Sequence, residues 1–194
     1  MPPAETVRVK VCIMRFEETR LSGAFVVDLE PYADERGFFA RSFCEREFAE
    51  RGLPTRFPQC NLSRNTRKAT LRGMHFQRGP EREAKLVRVV AGAIYDVIVD
   101  LRSGSPSFLQ WVGVELSGES GRALFVPGGF AHGFLTLTDN ADVFYHMSDF
   151  FRPEADRGFR WNDPRTRITW PEPPRVISTK DASYPDLDLA TLSG

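Results

Sequence analysis

Residues 85 to 137 read KLVRVVAGAIYDVIVDLRSGSPSFLQWVGVELSGESGRALFVPGGFAHGFLTL, a succession of short apolar runs that each stop at Gly, Pro, Ser or Asp. Runs at 85–90, 93–101, 108–116 and 122–126 are too short for stable amphipathic helices. Their spacing predicts β-strands of an all-β sandwich or barrel. Along 95–101 the alternation puts Tyr95, Val97, Val99 and Leu101 on one face, with Asp96 and Asp100 among isoleucines on the other. A carboxylate in that position needs a partner if it is buried.

With 194 residues, 41% hydrophobic and 12% aromatic, the chain can bury a sizeable core and is expected to form one domain over 1–194. Lys plus Arg equals Asp plus Glu at 26 each, so overall charge gives no reason to expect nucleic acid or an anionic membrane as partner. The start, MPPAETVRVKVCIMRFEETRLSGAFVVDLEPY, has no apolar run of signal-peptide or membrane-spanning length. Cys12, Cys44 and Cys60 are odd in number and lack CxxC spacing, which argues against a disulfide framework and a structural zinc site. A soluble, cytoplasmic protein is expected.

One short helix is predicted near the start. Ser42 and Glu45 match a capping box, Glu47 and Arg51 an i,i+4 pair, and Gly52 a C-terminal cap, with Phe43 and Phe48 facing the sheet. From about Pro153 the pattern thins into a Pro-, Asp- and Arg-rich tail, in which Trp161, Ile168 and Trp170 predict docking on the body.

The segment LRGMHFQ, 71–77, holds one of three histidines. On a regular strand Arg72 and His75 would face opposite ways; a bulge at Gly73 would aim both into one pocket. His75 there suits a general base, against the plainer alternative of a histidine satisfied in the core. His132, in VPGGFAHGF, is flanked by glycines that allow close backbone approach to a ligand. His146 alternates away from Tyr145 and is read as structural or exposed. Tyr145 offers a phenol, and Lys85 and Arg36 stand at turn-to-strand junctions that suit phosphate or carboxylate recognition. No HxH pair supports a metal centre, and no GxSxG, P-loop or GxGxxG motif is present.

In order along the chain, DERGFF, QCNLS, LRGMHFQ, AKLVRVVAGAIYDVIVDLR, SPSFLQWVGVELS, FVPGGFAHGFLTL, RWNDP, ITWP and STKD resemble the dTDP-4-dehydrorhamnose 3,5-epimerase family over roughly residues 24 to 185. The resemblance implies a cupin-type jelly roll (double-stranded β-helix) with a few short helices. It further implies a homodimer with its N-terminal strands near the interface, no metal or cofactor, and a nucleotide-diphosphate-linked 4-keto-6-deoxyhexose as substrate. By the same resemblance His75 is the base, Asp181 the carboxylate that orients it, Lys85 the cation on the enolate oxygen and Tyr145 the proton donor. Arg36, Gln59, Asn61, Arg72, His132 and Lys180 match substrate-contacting positions, Arg72 and Lys180 for the diphosphate, while Asp96 is expected to orient His132.

Two departures stand out. Arg41, and Arg157 within an alignment uncertain by one residue, occupy positions where the family commonly has Glu, which raises CDP as an alternative to dTDP, because arginine cannot accept the N3 hydrogen of thymine. Phe150 and Phe151 stand where tyrosines are frequent, which raises a single-site 3- or 5-epimerase as the alternative to inversion at both carbons. A non-catalytic sugar-nucleotide-binding jelly roll is a third reading, and a metal-dependent cupin oxygenase a more distant one.

Overall fold

The computed structural model describes residues 13–79 and 83–192; Cys12 lies outside them. The strands among these residues are β1 (Met14–Glu18), β2 (Phe25–Leu29), β3 (Tyr32–Asp34), β4 (Gly37–Phe39), β5 (Gln59–Asn65), β6 (Thr70–Gln77) and β7 (Lys85–Ala91). They continue with β8 (Ala93–Asp100), β9 (Trp111–Ser117), β10 (Ala123–Val126), β11 (Phe130–Thr136), β12 (Ala141–Met147), β13 (Asp156–Gly158) and β14 (Val176–Ile177). Two short helices, α1 (Glu45–Ala49) and α2 (Thr179–Ala182), complete the inventory with two single 3-10 turns.

One sheet runs β1-β2-β10-β7-β12-β5; the other runs β13-β6-β11-β8-β9, with β14 alongside β6. Every pairing is antiparallel except that of β14, and β3 and β4 form a separate hairpin. This is the cupin-type jelly roll that the sequence resemblance implied.

Alternation along β8 shows why the apolar runs look nearly continuous. Ile94 and Ile98 pack with Val87, Val89, Leu124 and Val143 between the sheets. Val97, Val99 and Leu101 pack outward with Met74, Phe76, Phe159 and Leu187. Tail residues cover the second sheet from behind, so both of its faces are buried. The two carboxylates of β8 are wholly buried and each has partners: Asp96 bonds His132, and Asp100 accepts from Arg102, Ser105 and Ser107.

That last cluster corrects the strand expected from residue 108. Ser105 and Ser107 turn inward to Asp100, Leu109 adopts φ 62° and donates to the Asp100 carbonyl, and the strand begins only at Trp111.

The helix is where expected, but its capping is not. Cys44 is the N-cap and gives no side-chain cap bond; the Ser42 carbonyl instead accepts from Arg88. Glu47 takes the Met14 N–H at 2.8 Å, and Arg51 reaches the Glu47 carbonyl, not its carboxylate. Gly52, at φ 66°, ends the helix as predicted, with the Leu53 N–H bonded back to Phe48. Phe48 is fully buried among Phe16, Phe43, Phe57 and Phe125, and a phenylalanine so placed contributes about 2–3 kcal/mol. Tertiary burial, not the cap, holds this short helix.

The tail docks through Phe159 and Leu187 and through the Trp161–Trp170 pair, whose indole N–H and carbonyl meet at 2.9 Å. Asp163, nearly fully buried, accepts from the Arg165, Thr166 and Leu187 N–H groups and so ties both ends of the tail together.

Burial alone would raise the Asp100 carboxyl, but Arg102, Ser105 and Ser107 outweigh it and hold the pKa at about 2, against an ordinary 3.8. Stability from this group is complete above pH 4 and lost as pH falls toward 2. Urea unfolding of Asp100→Asn is therefore expected to show a lower midpoint at pH 6 and a shallower fall between pH 4 and 2 than the wild-type chain; an unchanged fall would place the acid sensitivity elsewhere.

Candidate active site

The site begins with a slip in register. On β6, His75 lies opposite His132 of β11 and Arg72 opposite Phe134, so β6 spends one residue more than its partner over the same stretch. Gly73 supplies it. Its φ is 133°, and a Cβ there would lie 2.5 Å from the Gly133 Cα, a distance no side chain tolerates. Gly133 is equally constrained, since its own Cβ would fall 2.6 Å from the Met74 sulfur.

The bulge redirects the side chains as the sequence predicted. Leu71 packs against Trp161, Trp170 and Ile177, while Met74 and Phe76 pack against Phe159. Arg72 and His75 are left on the other face, toward the facing sheet. There Arg72 Nε donates to Asn65 Oδ1 of β5 at 2.8 Å, a bond that spans the two sheets.

His75 meets Asp181 with Nε2 2.7 Å from Oδ1. Asp181 sits in α2, where Ser178 caps its N–H, and its second oxygen accepts from the bulged Gly73 N–H at 3.3 Å. Burial would raise this carboxyl; the His75, Gly73 and Ser178 hydrogen bonds outweigh it and hold the pKa below the usual range. An anionic Asp181 accepts the hydrogen on Nε2, which leaves the imidazole lone pair on Nδ1. His132 has the same design, with Nε2 2.6 Å from Asp96 Oδ1.

The facing sheet supplies the complementary groups. Tyr145 of β12 and Lys85 of β7 share the inward face with Val143 and Val87, and Tyr145 bonds Ser63. Burial raises the Tyr145 phenol, opposed by Arg72 and Ser63 and reinforced by the carboxylates of Asp96 and Glu83. Lys85 lies 3.3 Å from Glu83. Gln59 and Asn61 line the same row of β5, and Gln59 also accepts the Phe151 N–H at 2.7 Å. An imidazole with its own carboxylate on one side, and a protonated phenol and an ammonium on the opposite sheet, can remove a proton from carbon on one side and return one on the other.

His146, by contrast, points to the outer face, half-buried among Phe43, Phe57 and Phe144, where burial lowers its pKa. It is structural, as expected.

Three expected residues do not join the site within one chain. Arg36, at the tip of the β3–β4 hairpin, pairs with Asp34. Arg41 is exposed beside Phe43 and Glu45, on the α1 side of its sheet. Arg157 spends its guanidinium on the Glu154 and Asp156 carbonyls. The carboxylate at this place is Asp156, one residue earlier, which pairs with Lys180.

Tyr184 and Glu83 escaped the sequence reading. The Tyr184 ring lies 5.9 Å from that of His75, edge-on, seated over Gly158 where a Cβ would lie 2.4 Å away. No spacing signal announced it. Glu83 did carry one, an acidic residue two positions before Lys85 at the entry to β7.

A barrel interior of this kind, with paired imidazoles on one sheet and a phenol and ammonium on the other, defines an acid–base catalyst. A sequence model of the dTDP-4-dehydrorhamnose 3,5-epimerase family matches residues 18–188. The dTDP-4-dehydrorhamnose 3,5-epimerase of Methanothermobacter thermautotrophicus is 46% identical over 176 residues, covering 89% of this chain and 94% of that one. Among solved structures, the dTDP-4-dehydrorhamnose 3,5-epimerase of Bacillus anthracis with TDP and PPi bound has a TM-score of 0.87 at 40% identity, covering 90% of this chain and 100% of that one. The dTDP-6-deoxy-D-glucose-3,5-epimerase of Legionella pneumophila in complex with dTDP-4-keto-L-rhamnose has a TM-score of 0.86 at 41% identity, covering 93% and 97%. The chain belongs to the dTDP-4-dehydrorhamnose 3,5-epimerase family and is an isomerase.

Gly73→Ala is expected to cost more than about 2 kcal/mol in urea unfolding, because the Cβ meets backbone and cannot be relieved by a rotamer change. Retained stability with retained activity would show that the bulge tolerates a side chain.

Proposed function

We propose that this enzyme inverts C3 and C5 of dTDP-4-dehydro-6-deoxy-D-glucose. Both hydrogens lie α to the C4 ketone. The observation that carries the reading is His75 of one sheet, paired with Asp181 of α2, opposite Tyr145 of the other sheet. His75 Nδ1 takes the proton, and the C–H electron pair becomes the enolate. Lys85 stabilises the enolate oxygen, a contribution whose loss costs about 3–4 kcal/mol in comparable sites. Tyr145 delivers a proton to the opposite face of the carbon, and Asp181 balances the imidazolium until solvent resets both groups.

Arg72 and Lys180 serve the diphosphate, and Gln59, Asn61 and His132 hold the sugar and nucleotide, with Asp96 orienting His132. No metal or cofactor is required, because the ketone itself acidifies the hydrogens. Among the described residues, no three His, Cys, Asp or Glu side chains are grouped to hold a metal ion.

The working form is a homodimer. Tyr32, Phe38 and Phe39 on the β3–β4 hairpin are more than half exposed, and β5 is an open sheet edge. A second copy laying its hairpin along that edge would cover these rings and bring Arg36 to the substrate. Among the described residues no helix is long and apolar enough to cross a membrane, and the unpaired Cys44 and Cys60 suit a reducing cytoplasm.

A second reading, epimerisation at one carbon, is favoured by Phe150 and Phe151, whose exposed rings leave no phenol at that edge. Proton NMR in D2O with dTDP-4-keto-6-deoxyglucose separates the two. Deuterium wash-in at both C3 and C5 is expected, exchange at one carbon supports the second reading, and no exchange sinks both. His75→Ala is expected to slow exchange by about 10²- to 10⁴-fold. Competition among dTDP, CDP and GDP is expected to favour dTDP; a CDP preference would assign base recognition to Arg41.

A further inference from the structure

Glu83 is nearly fully buried, with its side chain 3% exposed, and each of its oxygens holds a different pocket group. Oε1 lies 3.3 Å from Lys85 Nζ, and Oε2 accepts from Gln77 Nε2 at 2.7 Å. The Gln77 carbonyl in turn accepts the Arg152 N–H at 2.9 Å, which fixes the orientation of the amide and ties it to the segment that carries Phe150 and Phe151. Lys85 is itself mostly buried. A buried ion pair is seldom a net source of stability against an apolar pair of the same shape. Its presence here is better explained by what Lys85 has to do.

We propose that Glu83 is a positioning residue for the epimerisation: it clamps the Lys85 ammonium at the pocket wall and sets the charge that faces Tyr145. This rests on the assignment of Lys85 to the enolate oxygen and of Tyr145 to proton donation. A lysine ammonium on its four-carbon stem samples many rotamers, so a group meant to meet an oxyanion without delay has to be held beforehand. The ion pair with Glu83 holds the ammonium at 3.3 Å on one side, and an ammonium with three N–H donors retains others for substrate. Tyr145 is faced by Arg72 from β6, Asp96 from β8, Ser63 from β5, and Lys85 and Glu83 from β7 and the residues before it. Burial does most to keep the phenol protonated, its donating form, and of the facing groups the two carboxylates add to it.

The test compares Glu83→Gln, Glu83→Asp and Lys85→Ala with the wild-type enzyme by kcat, KM, the pH profile of kcat and deuterium wash-in. Glu83→Gln keeps the shape but loses the charge and turns one of the two acceptors into a donor. It is expected to leave KM within about twofold and to lower kcat about tenfold, the scale seen for groups that orient reacting side chains. Its alkaline limb, where the phenol ionises, is expected to move to lower pH. Glu83→Asp keeps the charge and shortens the reach, so kcat falls while the limb stays. Should Glu83→Gln fail to fold, Glu83→Asp with wild-type kcat would overturn the proposal. A folded Glu83→Gln with wild-type kcat and an unmoved limb, alongside a slowed Lys85→Ala, overturns it too. Undiminished exchange in Lys85→Ala removes the role that Glu83 supports, and absent exchange in the wild type fails the epimerase reading itself.

Discussion

The contact on which the site depends is between two backbones with no side chains between them. Gly73 and Gly133 approach so closely that a methyl group on either would strike the other strand or Met74. That approach absorbs the extra residue of β6 and turns a strict two-residue alternation into one that puts Arg72 and His75 on the same face. It also aims the Gly73 N–H at Asp181, so the distortion that turns His75 inward supplies a hydrogen bond to the carboxylate that His75 meets. Without it, either His75 or Arg72 would face the tail.

Charge is balanced pair by pair. His75 has Asp181, His132 has Asp96, Lys85 has Glu83 and Lys180 has Asp156. For the buried members, Asp181, Asp96, His132, Glu83 and Lys85, such private partners matter most, since an unpaired charge there would cost several kcal/mol. They also mean that a proton arriving on His75 meets its counter-charge already in position, with no dipoles left to reorient.

Much of this was legible in the sequence because it rests on alternation. The β8 pattern separated Asp96 and Asp100 from Val97 and Val99, and the structure gives each carboxylate its partners. Gly73 marked the bulge for a steric reason that any strand shares. The ordered motifs carried Asp181, which no local pattern could have linked to His75 across 106 residues. What the sequence hid were features set by tertiary contact. The capping box at Ser42 and Glu45 is not formed because the helix starts two residues later, with Cys44 as its N-cap, and the strand before Trp111 was shortened by the demand of Asp100 for hydroxyl partners. Tyr184 lies in a polar tail stretch, and its place beside His75 follows from how α2 docks.

The two-sheet architecture matches the stereochemistry of the reaction. An enolate is flat, and inverting its carbon requires removal of a proton from one face and delivery to the other. A single sheet, or a loop cluster on one side of a cleft, would present acid and base to the same face and tend to return the proton where it came from. In this barrel His75 rises from β6 in one sheet and Tyr145 from β12 in the other, and the interior between them is the width of a side-chain layer on each side. The bond from Arg72 to Asn65 crosses that gap and fixes its span. The jelly roll therefore supplies opposed faces as a property of the fold, and the residues have only to supply the proton affinities.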